Sequence, residues 1–91
     1  MIPRSVVILG KVYKVRRKRM KLFAYVDDDL ATVFLRSGIK GDEAESTLLH
    51  EVIHACLFRS GSKFQLDAKQ EEGIVRALEH GLHQAGYRLT N

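Results

Sequence analysis

The chain is poor in the residues that staple or break small folds: its 91 positions hold one cysteine, one proline and no tryptophan. Cys56 alone cannot close an intrachain disulfide, nor can it build a cysteine zinc cluster. Pro3 is the only proline and lies ahead of every element read below. Long apolar runs are missing too. The stretch around Val6 to Leu9 falls far short of the roughly 18 to 20 residues that a membrane span needs. Preceded only by Met1-Ile2-Pro3-Arg4, it also lacks the h-region of a secretory signal. The expectation is a cytoplasmic protein without membrane contact. No repeat, low-complexity tract or linker divides the chain, so residues 1–91 are expected to form one domain around one core, as a monomer or small homo-oligomer.

What is present is a varied, charged composition: 45% hydrophobic, 29% charged, and 15 Lys+Arg against 11 Asp+Glu for a formal +4. That is too apolar for disorder. The positive charge concentrates in the N-terminal half, where Arg16-Arg17-Lys18-Arg19 is flanked by Lys14 and Lys21. Nucleic acid is one partner such a run suits, and an acidic protein substrate is another. A solvated strand connection is the plainer reading, because no known nucleic-acid-binding motif accompanies the run.

Residues 6 to 35 read as β. Val6 to Leu9 and Val12 to Val15 flank a break at Gly10-Lys11, and Leu22 to Val26 and Leu30 to Leu35 flank the turn-forming Asp27-Asp28-Asp29. About three strands are expected, antiparallel or mixed. The last run alternates apolar residues on both faces, which would suit a strand covered on both sides. Ser37 to Gly41 then punctuates the chain, and Asp42-x-x-Glu45 resembles a capping box opening a helix to about Phe58. Arg59-Ser60-Gly61-Ser62 stops it. Asp67-x-x-Gln70 can cap a second helix from about Ala68 to Ala85, with Gly86 as its left-handed C-terminal residue. Strands first and helices second indicate an α+β fold.

The first predicted helix contains His50-Glu51-Val52-Ile53-His54, an H-E-x-x-H sequence. Histidines at i and i+4 lie one turn apart on one face and can share a zinc ion, while the glutamate between them can reach a metal-bound water. With four histidines and six glutamates in the chain, chance alone yields this pattern in roughly 1% of shuffled sequences. The bland alternative is a pair of half-buried histidines beside a surface glutamate. At about 100° per residue, Leu48, Leu49, Val52, Ile53, Cys56 and Leu57 fill an apolar arc whose edge the two histidines flank.

Zinc in a catalytic site takes a third protein ligand and keeps one position open. Glu71, Glu72 and Glu79 compete for that place, with His80 and His83 as weaker candidates. Glu72 borders the apolar arc of the second helix as the histidines border theirs, whereas Glu71 falls inside it, where a carboxylate needs metal or hydrogen bonds to compensate for burial. Glu72 is the first choice and Glu71 the second. Gly73 and Gly81 would allow close approach of the two helices.

The stretch Thr47-Leu48-Leu49-His50-Glu51-Val52-Ile53-His54-Ala55, followed by Glu72-x-x-Val75-x-Ala77-Leu78 and Gly81-Leu82, resembles the short zincin-type metallopeptidases encoded by tailed phages. These are relatives of the larger gluzincin and ImmA/IrrE-like groups. The similarity covers the C-terminal half closely and the strands loosely, through Gly10-x-x-Tyr13-x-Val15. It implies a minimal zincin-like fold, zinc held by His50, His54 and Glu72, Glu51 as catalytic base, a peptide or protein substrate, and the cytoplasm of a bacterial host. The third histidine of the longer H-E-x-x-H-x-x-G-x-x-H pattern is missing, with Gly61 out of register, which disfavours a metzincin.

The chemistry implied is metal-assisted amide hydrolysis, with Glu51 taking the water proton and delivering it to the leaving nitrogen. By analogy with zincins, an exposed edge of the strand around Thr32 to Leu35 would pair with extended substrate. Tyr25, Tyr87, His80 and His83 are conceivable oxyanion donors, and spacing selects none. Cys56 points into the apolar arc and reads as core. The alternative function is a non-catalytic, zinc-stabilised binding protein, with Arg16, Arg17, Lys18 and Arg19 of its basic N-terminal half as the candidate contacts to nucleic acid.

Overall fold

Leu9 and Gly10 set the first feature of the fold, because both have positive φ (47° and 83°), as the two-residue turn that matches strand twist requires. They join β1 (Ser5–Ile8) to β2 (Lys11–Lys18), paired antiparallel with Ile8 opposite Lys11. A computed structural model describes residues 2–61, 66–87 and 89. After β2 come β3 (Ala24–Asp27), β4 (Thr32–Arg36), α1 (Gly41–Ser60) and α2 (Ala68–Gln84).

The class is α+β, with four strands where about three were expected. The sheet order is β1-β2-β4-β3, with β2 and β4 parallel and the other pairs antiparallel, so the sheet is mixed. The Asp27 to Asp29 run does form the turn, and the Asp27 carboxylate accepts from the Leu30 amide at 3.0 Å. Ala31, at φ 47°, belongs to that turn with Leu30, so β4 begins at Thr32, two residues later than its hydrophobic run.

One face of the sheet carries the core. Tyr13, Val15, Val33 and Leu35 point inward with Ile8 and meet Ala44, Leu48 and Ala55 of α1. Burying a side chain such as Leu48 or Val33 is worth about 1.5–3 kcal/mol. The other face has no helix packed on it among the described residues, and Val7 and Val12 there are 68% and 58% exposed. β4 is therefore covered on one side only. Its outward Phe34 stacks instead on Tyr25, ring centroids 5.0 Å apart.

Helix α1 lies between two layers. Ala44, Leu48 and Ala55 face the sheet, while Ile53 and Val75 are buried outside that cluster, on the two helices that pack on each other. A helix covered on two sides needs no single apolar stripe, which is why the one arc expected for α1 is split. Its start also differs from expectation. Lys40 is the N-cap, without a side-chain bond, and Asp42 lies inside the first turn with Glu43. There they complement the helix dipole and do not form a capping box. Gly41 at φ 62° sets the turn into the helix, and the Arg17 guanidinium donates to the Ile39 carbonyl at 2.7 Å just before it. Gly61 ends the helix in the left-handed conformation, so its last residue, Ser60, lies two past Phe58.

For α2 the local signals sufficed. Asp67 and Gln70 form both bonds of a capping box. Gly86 is left-handed at φ 93°, and the Gly86 and Tyr87 amides bond the His83 and Leu82 carbonyls, closing a Schellman motif. Gly73 and Gly81 do not serve helix contact: a Cβ built at either meets nothing within 4 Å. Among the described residues, no helix is long and apolar enough to cross a membrane.

Candidate metal centre

His50 and His54 project from one face of α1 toward α2, and one turn of helix brings their rings to 4.9 Å between centroids. Their Nε2 atoms are 3.2 Å apart. Glu72, from the facing turn of α2, completes the group with Oε1 3.0 Å from His50 Nε2 and Oε2 3.4 Å from His54 Nε2. Ligand atoms of these three residues all lie within 4.8 Å of one another, close enough to hold a metal ion. The spacing suits a tetrahedral ion. At metal–ligand distances of about 2.0–2.1 Å, neighbouring ligands of such an ion stand about 3.3–3.4 Å apart. Two imidazoles and one carboxylate also match the donor set of borderline divalent metals and leave a coordination position open.

The other ring nitrogens are occupied. His50 Nδ1–H donates to Glu79 Oε1 at 2.8 Å, and His54 Nδ1–H donates to Glu71 Oε2 at 2.6 Å. Carboxylate acceptors hold both Nδ1 atoms and so turn both Nε2 atoms toward each other and toward Glu72. Glu71, the second choice as ligand, thus lies on the Nδ1 side of His54, and that hydrogen bond compensates for its partial burial. Glu79 does the same for His50 and also accepts from the Ser46 hydroxyl. Burial works to raise the Glu79 carboxyl, but the bonds from Ser46 and His50 outweigh it and hold the group below its ordinary range.

Glu51 stands about a quarter turn from His50, between the histidines and the sheet. It forms no hydrogen bond or ion pair among the described residues, and burial pushes its carboxyl above the usual range against the pull of His54 and His50. Two clefts open on either side of it. One of about 210 Å³ is bounded by Phe23, Ser46, Thr47, His50 and Glu79. The other, about 180 Å³, is bounded by Val26, Asp28, His54, Phe58 and Glu71. The second reaches β3 through Val26 and the first meets Phe23 just before it; β3 pairs only with β4 among the described residues and has a free edge. β4, expected to offer that edge, is flanked on both sides by β2 and β3. A larger cleft, about 420 Å³, lies at the start of α1 beside Arg4, Arg16 and Lys40. Ligand chemistry, and not cleft size, marks the candidate centre.

The remaining candidates lie elsewhere. His80 is exposed, and His83 and Tyr87 line a small cleft with Glu45 and Leu49. Tyr25 is on the outer face of the sheet. Cys56 packs against the core, and burial pushes its thiol up. Ser46 escaped the sequence reading. Its position one turn before His50, matched with the seven-residue interval from Glu72 to Glu79, was the available signal. No protein-family model, curated protein or solved structure matches the chain.

Proposed function

We propose that this chain is a small zinc-dependent metallopeptidase, with His50, His54 and Glu72 as ligands and Glu51 as general base. The observation that carries the reading is the state of Glu51: half-buried, unpartnered among the described residues, and adjacent to three convergent metal-ligating atoms. A carboxylate of structural purpose in that position would be expected to have a donor. Zinc bound there would lower the pKa of a water molecule to about 7 and polarise a substrate carbonyl. With zinc in place, Glu51 would take the proton of the attacking water and return it to the leaving amide nitrogen. Glu71 and Glu79 hold the imidazoles in orientation. The free edge of β3 offers backbone amides and carbonyls to an extended peptide, and the two clefts beside Glu51 can receive its side chains. The similarity of the motif to short phage zincins supports the same chemistry.

The test has two parts. Zinc is quantified in protein purified without chelator or metal-affinity tag, with about one ion per chain expected. Glu51→Gln is then assayed on a quenched-fluorescence peptide library. It should retain zinc and lose about 10²- to 10⁴-fold in hydrolysis. A chain that binds zinc but never hydrolyses peptides is the non-catalytic, zinc-stabilised binding protein of the alternative reading, and reproducible absence of zinc removes both.

A further inference from the structure

The two layers of the molecule differ in charge. Residues 1–40 carry ten Lys+Arg against three Asp, whereas residues 41–91 carry five against eight acidic residues. The sheet is the basic layer, and four of those ten cations, Lys14, Arg16, Lys18 and Arg36, fall on its uncovered face, with Asp27 in register at one end. Along β2, Lys14, Arg16 and Lys18 alternate with the buried Tyr13 and Val15 and so leave the strand on the outer face, the Arg16 guanidinium then reaching back to the Val15 carbonyl at 3.3 Å beside the cleft at the start of α1. Arg17, grouped with them by sequence, is turned away, its guanidinium on the Arg36 and Ile39 carbonyls. Arg19 lies beyond the strand.

The same face holds aromatic rings among these cations. Arg16 is in register with Phe34, and Phe34 with Tyr25. Lys18 Nζ lies 5.2 Å from both ring centroids and donates to the Tyr25 hydroxyl at 2.8 Å. Next to them the Arg36 guanidinium is 4.6 Å from the centroid of Phe23, which is 55% exposed. Among the described residues, none of Lys14, Arg16, Lys18 and Arg36 forms an ion pair with a carboxylate.

We propose that the open face of the sheet binds single-stranded nucleic acid, with bases stacking on the Tyr25–Phe34 pair and phosphates lying on Lys14, Arg16, Lys18 and Arg36. Three features favour this ligand. Cations at alternate strand positions repeat every 6.6–6.8 Å or so, comparable to successive phosphates of an extended strand. Aromatic rings offer a π-face to any base, at about 1–3 kcal/mol per stacked base. A flat sheet face also lacks the protruding helix or ribbon that reads a duplex groove, and suits unpaired bases. An acidic protein would use the cations and leave the rings idle. Lys18, now lying across the rings, moves to the phosphates when a base takes its place.

The experiment is fluorescence anisotropy of labelled oligothymidylate and oligouridylate of about twelve nucleotides with the full, zinc-supplemented chain. The expected result is binding with a log–log salt slope of about −2 to −3, four phosphates contributing about −0.7 each. Phe34→Leu keeps apolar bulk but removes the ring, and should weaken binding by about 5- to 100-fold. Lys18→Gln should lower the slope by about 0.7. If Phe34→Leu does not fold, Tyr25→Leu on the edge strand and Arg16→Gln at an exposed position supply the same two readouts. No binding at about 50 mM salt overturns the proposal. So does binding that polyglutamate displaces equally well and that the ring substitutions leave unchanged, which identifies an acidic-protein surface. Zinc content is read separately, so failure here leaves the metal centre untouched.

Discussion

At the scale of single residues, the histidines divide their two nitrogens between a carboxylate and the cluster with Glu72 that could hold a metal ion. Glu71→Gln and Glu79→Gln preserve shape but weaken the acceptor, and each is expected to lower zinc affinity by about 10- to 100-fold in chelator competition. Glu72→Gln, which removes a charged ligand atom, should lower it further. Away from the centre, Tyr13 is fully buried, and its hydroxyl donates to Asp28 at 2.7 Å. Burial first, and the Asp28 carboxylate second, raise its pKa above 10.0. The native state therefore holds that proton more tightly than the unfolded chain does. The resulting stability is complete below about pH 10 and is lost as pH rises through the higher native value. Tyr13→Phe should flatten this alkaline loss and remove about 1–2 kcal/mol at neutral pH with the hydrogen bond. Urea unfolding at about pH 8 and about pH 11 measures both.

At the scale of elements, α2 carries two glycines that no contact requires. Gly73→Ala and Gly81→Ala should each stabilise the protein by about 0.5–1 kcal/mol in denaturant unfolding, because both lie within the helix and face open space. What could be read in advance at this scale was what is local. The Asp67 box, the Gly86 terminus and the H-E-x-x-H spacing are each contained within a few residues, and their geometry follows from one turn of chain. The start of α1 was misread because Gly41 and the reach of Arg17 to Ile39 set it, and the latter contact spans 22 positions. The parallel pairing of β2 with β4, which leaves β3 at the edge, depends on which strands meet and not on their patterns. Glu71 and Glu79 showed in the sequence only as rival ligands. Their bonds to Nδ1 cross from one helix to the other, so no spacing within a helix reveals them.

At the scale of the whole molecule, the carboxylates and imidazoles lie on the helical side, and the unpaired cations lie on the far face of the sheet. The two proposed surfaces can therefore be disrupted independently: neutralising Arg16 and Lys18 should leave zinc content and peptide hydrolysis unchanged. The attachment of α2 has a further consequence. This helix packs mainly on α1, yet it supplies Glu71, Glu72 and Glu79, half of the assembled group. Local opening of α2 dismantles the centre while leaving the sheet and α1 in place, so helix docking and ion loading share one equilibrium. Hydrogen exchange should slow on adding zinc far more in α2 than in β2 or β4, and uniform protection would contradict this coupling. An ion bound there would act as a latch between the two helices, with the local metal supply setting the fraction of closed molecules.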